Sequence, residues 1–105
     1  MNVKEVFTKK EILMIKIIFE PEQNRAAAYD GDKNIGEATY TISDNTWILE
    51  HTFVDKDYGG QGIAAKLIDE VVKNARIEKT KIVPQCSYAV KKFETTPEYE
   101  DVLAK

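Results

Sequence analysis

Three of the chain's five glycines stand together in the run Gly59-Gly60-Gln61-Gly62, which leads through Ile63-Ala64 into a segment of helical periodicity. Such a cluster removes Cβ from a loop whose backbone N–H groups point outward at a helix N-terminus, where the helix dipole also favours negative charge. The chemistry this suits is retention of a phosphate without a basic side chain. A sharp strand-to-helix turn also uses glycine for unusual φ, but one glycine serves a turn and three exceed that need. The run lacks the Gly-Lys-Ser/Thr ending of a Walker loop, and the strands ahead of it do not form the βαβ pattern of a dinucleotide fingerprint. Two further reactive side chains are single copies, His51 and Cys86. On position alone, a histidine flanked by Leu49 and Phe53 reads as a core residue, and a lone cysteine as a small buried hydrophobe.

The elements that must hold the glycine turn are legible on both sides. From Leu13 the texture is strand-like, with Ile15, Ile17 and Phe19 alternating until Pro21 ends the run. Residues 25–29 form a second strand, and Asp30-Gly31-Asp32 suits a hairpin turn. A third strand is predicted over 35–43 and a fourth over 46–54. In the fourth, Trp47, Leu49, His51 and Phe53 share one face, and Ile48, Glu50, Thr52 and Val54 the other. Large apolar groups on both faces predict a central strand covered on both sides. After Tyr58 the period changes: Ile63/Ala64, Leu67/Ile68, Val71/Val72 and Ala75 recur every fourth residue, giving an amphipathic helix of about four turns. Residues 81–83 read as a short strand stopped by Pro84, followed by a helix capped by Ser87 and running to about Glu94. Thr96-Pro97-Glu98 opens another helical turn. Strands followed by strand, helix, strand and helix predict an α+β fold with a helix over one face of the sheet.

At 105 residues, with 43% apolar and 31% charged, the chain fits one globular domain over residues 13–105, preceded by a loose arm or frayed helix over residues 1–12. The core should form without metal or disulfide, and one cysteine fits a reducing compartment. A net charge of −3 argues against nucleic acid and anionic membrane as partners. No stretch is apolar for long enough to span a bilayer, and the amino end lacks a secretory pattern, so a cytoplasmic monomer is expected.

The turn resembles the acetyl-CoA motif of the GNAT acetyltransferase superfamily, Gln/Arg-x-x-Gly-x-Gly/Ala, with Gly62 and Ala64 at its last two positions. His51-Thr52, Gly60-Gln61-Gly62, Cys86 and Pro97-Glu98-Tyr99 are together similar to the short, single-domain members of that superfamily. The resemblance implies a mixed, mainly antiparallel twisted sheet with a long helix after the turn and a short helical carboxyl end. It also implies acetyl-CoA as co-substrate, with Gly59, Gly60, Gln61, Gly62, Ile63 and Ala64 on the pyrophosphate. The pantetheine arm would lie between strands 46–54 and 81–83, bonded to main-chain groups near Phe53 and Val54, which places the thioester near His51 and Cys86.

Transfer of an acetyl group needs a base for the acceptor, an oxyanion donor and an acid for the departing thiolate. Glu50 and His51 are candidate bases and Cys86 and Tyr88 candidate acids, with His51 and Cys86 ranked first on the resemblance. Lys91-Lys92 reads as a solvated helix face that could meet the adenosine phosphates. Gly59 departs from the motif's Gln or Arg, and the chain has no room for the two helices that shape the acceptor site of longer members. The expected reaction is N-acetylation of an unidentified amine, on a protein or peptide if the open acceptor side takes a bulky partner. The alternatives are a non-catalytic acyl-CoA-binding module and an interaction domain without cofactor.

Overall fold

The computed structural model describes residues 15–105, so the arm assigned to residues 1–12 lies outside the described residues. Five strands make one sheet in sequence order: β1 (Lys16–Glu20), β2 (Arg25–Asp30), β3 (Lys33–Ser43), β4 (Thr46–Val54) and β5 (Lys81–Pro84). The first three pairings are antiparallel, and β4 with β5 is parallel. Tight turns account for the order. Gly31 at φ 62° closes β2–β3, and Asp44 and Asn45, both at positive φ, close β3–β4. The parallel step needs a crossover, supplied by α1 (Ile63–Glu78). After β5 come α2 (Ser87–Glu94) and a 3₁₀ turn, Pro97–Val102.

One stripe of α1, built from Ile63, Leu67, Ile68, Val71, Val72 and Ala75, is buried. It packs with Ala26, Ala28, Ala38, Leu49 and Ile82 of the sheet, and with Phe93, Tyr99 and Val102. Small residues on β2 and β3 let the helix approach closely. A Cβ on Gly36 would lie 2.9 Å from the Phe53 carbonyl and 3.4 Å from a Leu67 methyl. Leu67 is fully buried, so its truncation to alanine should cost about 2–5 kcal/mol.

The carboxyl end closes the far side of β5. Ala104 N–H donates to the Ile82 carbonyl at 2.9 Å, and Arg76 holds Asp101 through two bonds at 2.8 and 2.9 Å. Two expectations need correction. Cys86, not Ser87, is the N-cap of α2. β4 is not covered on both faces by the described residues, because Phe53 is 51% exposed opposite the face that α1 packs on.

Candidate functional site

The site begins where β4 and β5 part. Their ladder runs only from Thr46↔Lys81 to Leu49↔Pro84. Pro84 has no N–H to extend it. The next two amides, Gln85 and Cys86, both turn back onto the Leu49 carbonyl at 2.9 and 3.3 Å. On its other edge β4 remains paired with β3 as far as Asp55, whose N–H reaches the Ile35 carbonyl at 2.7 Å. Main-chain groups alternate sides along a strand. Phe53 therefore faces β3, consistent with its carbonyl lying against Gly36, while Thr52 and Val54 face the gap. The expected contact near Val54 is thus geometrically available. Phe53 is committed to the ladder with β3, and Thr52 is the preceding residue whose main chain faces the gap.

A β-bulge sets this phase. Thr39 pairs with His51 but the next residue, Tyr40, pairs with Leu49, leaving Glu50 as the extra residue of β4. Trp47 and Leu49 face α1 ahead of the bulge. Beyond it the inward positions are Thr52 and Val54, and His51 and Phe53 turn outward and are exposed. The expected common face of Trp47, Leu49, His51 and Phe53 is therefore broken at Glu50. Glu50 is exposed and accepts a bond from Thr41 Oγ1 at 3.3 Å. Cys86 Sγ lies 3.4 Å from Thr52 Oγ1 and accepts from Ala89 N–H at 3.4 Å. Thr52, not His51, is thus the β4 side chain brought against the thiol.

The glycine turn follows the carboxyl end of β4, the end at which the β4–β5 pairing has stopped. Asp55 accepts from Asp57 N–H at 2.9 Å to start a 3₁₀ turn, Lys56–Tyr58, and the Tyr58 hydroxyl donates to Asp30 of the β2–β3 hairpin. Gly60 and Gly62 have φ of 76° and 75°, whereas Gly59 is extended at φ −65° and ψ 158°. Backbone geometry alone therefore calls for the second and third glycines and not for the first. Gly62 is the N-cap of α1, with no side-chain cap and no acid in the first turn. The first intrahelical bond from beyond it is Lys66 N–H to Gly62 carbonyl at 3.2 Å. The amides of Ile63, Ala64 and Ala65 precede it and are the helix's open donors. A Cβ on Gly60 or Gly62 would meet nothing within 4 Å, so both positions border open space. Gln61 Oε1 beside them is buried without a partner among the described residues.

Residues 25–102 match the family described as GCN5-related N-acetyl-transferase. The chain belongs to this family. A GCN5-like protein from Staphylococcus aureus, solved in solution, is 34% identical, with a TM-score of 0.68 over 85% of this chain and 87% of that one. Two more distant structures share the fold. A GNAT-family protein from Desulfovibrio desulfuricans is 21% identical, with a TM-score of 0.54 over 73% of this chain and 51% of its own. A GNAT-family acetyltransferase from Elizabethkingia anophelis with acetyl-CoA bound is 15% identical, with a TM-score of 0.55 over 93% of this chain and 61% of its own. No curated protein matches. The resemblance read from the glycine turn and the α+β expectation agree with these findings.

Within this GNAT domain, burial first and then the Asp69 carboxylate push the Tyr88 phenol up, which keeps it protonated at neutral pH. Tyr99 is pushed further up by the same order of causes and donates to Asp69. Tyr99 also lies under Lys92, whose Nζ is 5.7 Å from the ring centroid, while Lys91 is exposed. None of the described helices is long and apolar enough to cross a membrane.

Proposed function

We propose that the chain binds acetyl-CoA with the pyrophosphate on the amides of Gly60 to Ala65 and the pantetheine arm in the β4–β5 gap, and that it transfers the acetyl group to an amine. The single observation that carries this reading is a pair of features joined by one short turn: main-chain groups of Thr52 and Val54 aimed into a strandless gap, and an uncapped helix N-terminus that follows β4 through the glycine turn. Gln61 Oε1, an acceptor left without a donor, fits a ligand that brings N–H groups to the same place. The family's acetyl-CoA-bound member from Elizabethkingia anophelis supports the choice of ligand.

In this reading the protein's residues bind, orient and move protons. The helix N-terminus neutralises the phosphates, and the β4 edge fixes the arm so that the thioester lies by the bulge. Glu50 or His51, both exposed on the outward face at the bulge, takes a proton from the amine as its nitrogen adds to the thioester carbonyl. Cys86, or Tyr88 two residues further on, hands a proton to the departing CoA sulfur as the carbon–sulfur bond breaks. The exposed base side suits an amine carried on a protein or peptide. The protein should release CoA thiol when given acetyl-CoA and a panel of amines and peptides, and acetylated product should appear by mass spectrometry. Tight binding of acetyl-CoA with no thiol release from any amine would instead leave a binding module, a reading favoured by the missing side chain at Gly59.

A further inference from the structure

A second concave site lies at the opposite end of α1, which with 16 residues is about 24 Å long. It is a cleft of about 590 Å³ whose floor is aromatic, within the size range of small-molecule sites. Phe19, Tyr40 and Trp47 come from three strands and stack within 17° of parallel, with centroids 4.3 to 6.1 Å apart. The polar rim is set by turns: Asn24 after β1, Asn45 at the β3–β4 hairpin, and the end of α1 at Glu78 and Lys79.

The electrostatic features of this cleft mostly share one sign. Tyr40 and Trp47 are buried with their faces stacked together, so the half-buried Phe19 is the ring that offers negative π-density to a cation. The C-terminal end of α1 carries the negative pole of the helix dipole. Glu78 adds a full charge, and its field reaches the floor: after burial, this carboxylate is the second cause pushing the Tyr40 phenol up. The side-chain amides of Asn24 and Asn45 make no hydrogen bond among the described residues, so each can turn its carbonyl oxygen or its NH2 group to a ligand. Lys79 is the one opposing charge of the lining, and it is exposed to water.

We infer that this cleft binds a small organic cation, an ammonium group on an apolar body, with the cation against the aromatic floor and Glu78. The site is separate from the acetyl-CoA site and does not rest on the proposed function.

Trp47 is the chain's only tryptophan and lies in the floor, so its fluorescence reads the site directly. Choline is the probe, because a quaternary nitrogen cannot accept an acetyl group, and 3,3-dimethylbutan-1-ol is its uncharged carbon isostere. Choline should change Trp47 emission saturably in the millimolar range, and the alcohol should bind at least about fivefold more weakly. Glu78→Gln, an exposed substitution that leaves the floor intact, should weaken choline about twofold to fivefold without affecting the alcohol. An unsaturable response to choline, equal binding of the two probes, or choline binding unaltered in Glu78→Gln would each overturn the inference.

Discussion

Replacing Gly62 by alanine should damage stability and ligand binding by separable amounts, because the structure gives each a different cause. Gly62 holds φ at 75°, a region that costs an L-residue about 1–2 kcal/mol. Its new Cβ would meet no protein atom within 4 Å, so strain is the whole expected folding cost. For a domain of this size that corresponds to a fall in Tm of about 4–16 °C. The Cβ would, however, stand at the N-cap, next to the open amides of α1 on which the phosphate is proposed to rest. Displacing a phosphate from one charge-assisted bond there costs about 1.5–3 kcal/mol, or roughly tenfold to a hundredfold in Kd. Gly31 supplies the control: it has φ of 62° and equally open surroundings, but sits in the β2–β3 hairpin. Gly31→Ala should lose similar stability and keep CoA affinity within about twofold. Thermal melts and calorimetric titration with CoA measure both quantities. If Gly62→Ala loses stability as Gly31→Ala does but binds CoA like the parent, the glycine serves the turn alone and the phosphate argument fails.

Gly59→Arg should leave stability within about 0.5 kcal/mol, since Gly59 is extended and its Cβ would touch only the Lys56 carbonyl at an ordinary 3.4 Å. It should also tighten CoA binding about threefold to tenfold by adding a phosphate contact, and weaker binding in a stable variant would show that the ligand lies elsewhere. Cys86→Ser should keep the α2 cap, because serine is a favoured N-cap residue, yet lower turnover at least about tenfold if the thiol is the acid. Full turnover in Cys86→Ser and Cys86→Ala, with no acetyl adduct on the parent by mass spectrometry, would reduce Cys86 to a cap. Acid stability should depend on Tyr29, whose hydroxyl bond at 2.6 Å is the largest cause holding Glu20 below its ordinary value of 4.5, ahead of Arg25. A depressed carboxylate stabilises the fold above its unfolded pKa and loses that contribution as pH falls through the folded one. Melts from about pH 7 down to pH 3 should therefore show a shallower acid decline in Tyr29→Phe than in the parent, and parallel declines would contradict the assignment.

The α1 helix and the hairpin turns were legible because each follows from local chemistry: a period of four, and residues that tolerate positive φ. The glycine turn was legible for the same reason, and the structure divides its three glycines into two that the backbone needs and one that it does not. The β4 bulge was not legible. Both faces of residues 46–54 carry large apolar groups, so an inserted residue at Glu50 leaves the pattern readable in either phase. That one register shift turned His51 and Phe53 outward and put Thr52 against Cys86. The cap of α2 was misassigned by one position because serine is the commoner cap, whereas here the sulfur accepts the Ala89 amide. The aromatic cleft brings together residues from β1, β3 and β4 and the end of α1, which no local spacing announces.

The central claim is that the β4–β5 gap and the α1 N-terminus together form one acetyl-CoA site. Amide chemical shifts followed during titration of the isotope-labelled protein with CoA test it residue by residue. The account predicts large shifts at Gly60 to Ala65 and at Thr52 and Val54, a smaller one at Phe53, whose amide is tied to β3, and none at Asn45 or Lys79 at the far end of the helix. Saturable binding that shifts Asn45 and Lys79 and leaves Gly60 to Ala65 unmoved would contradict it.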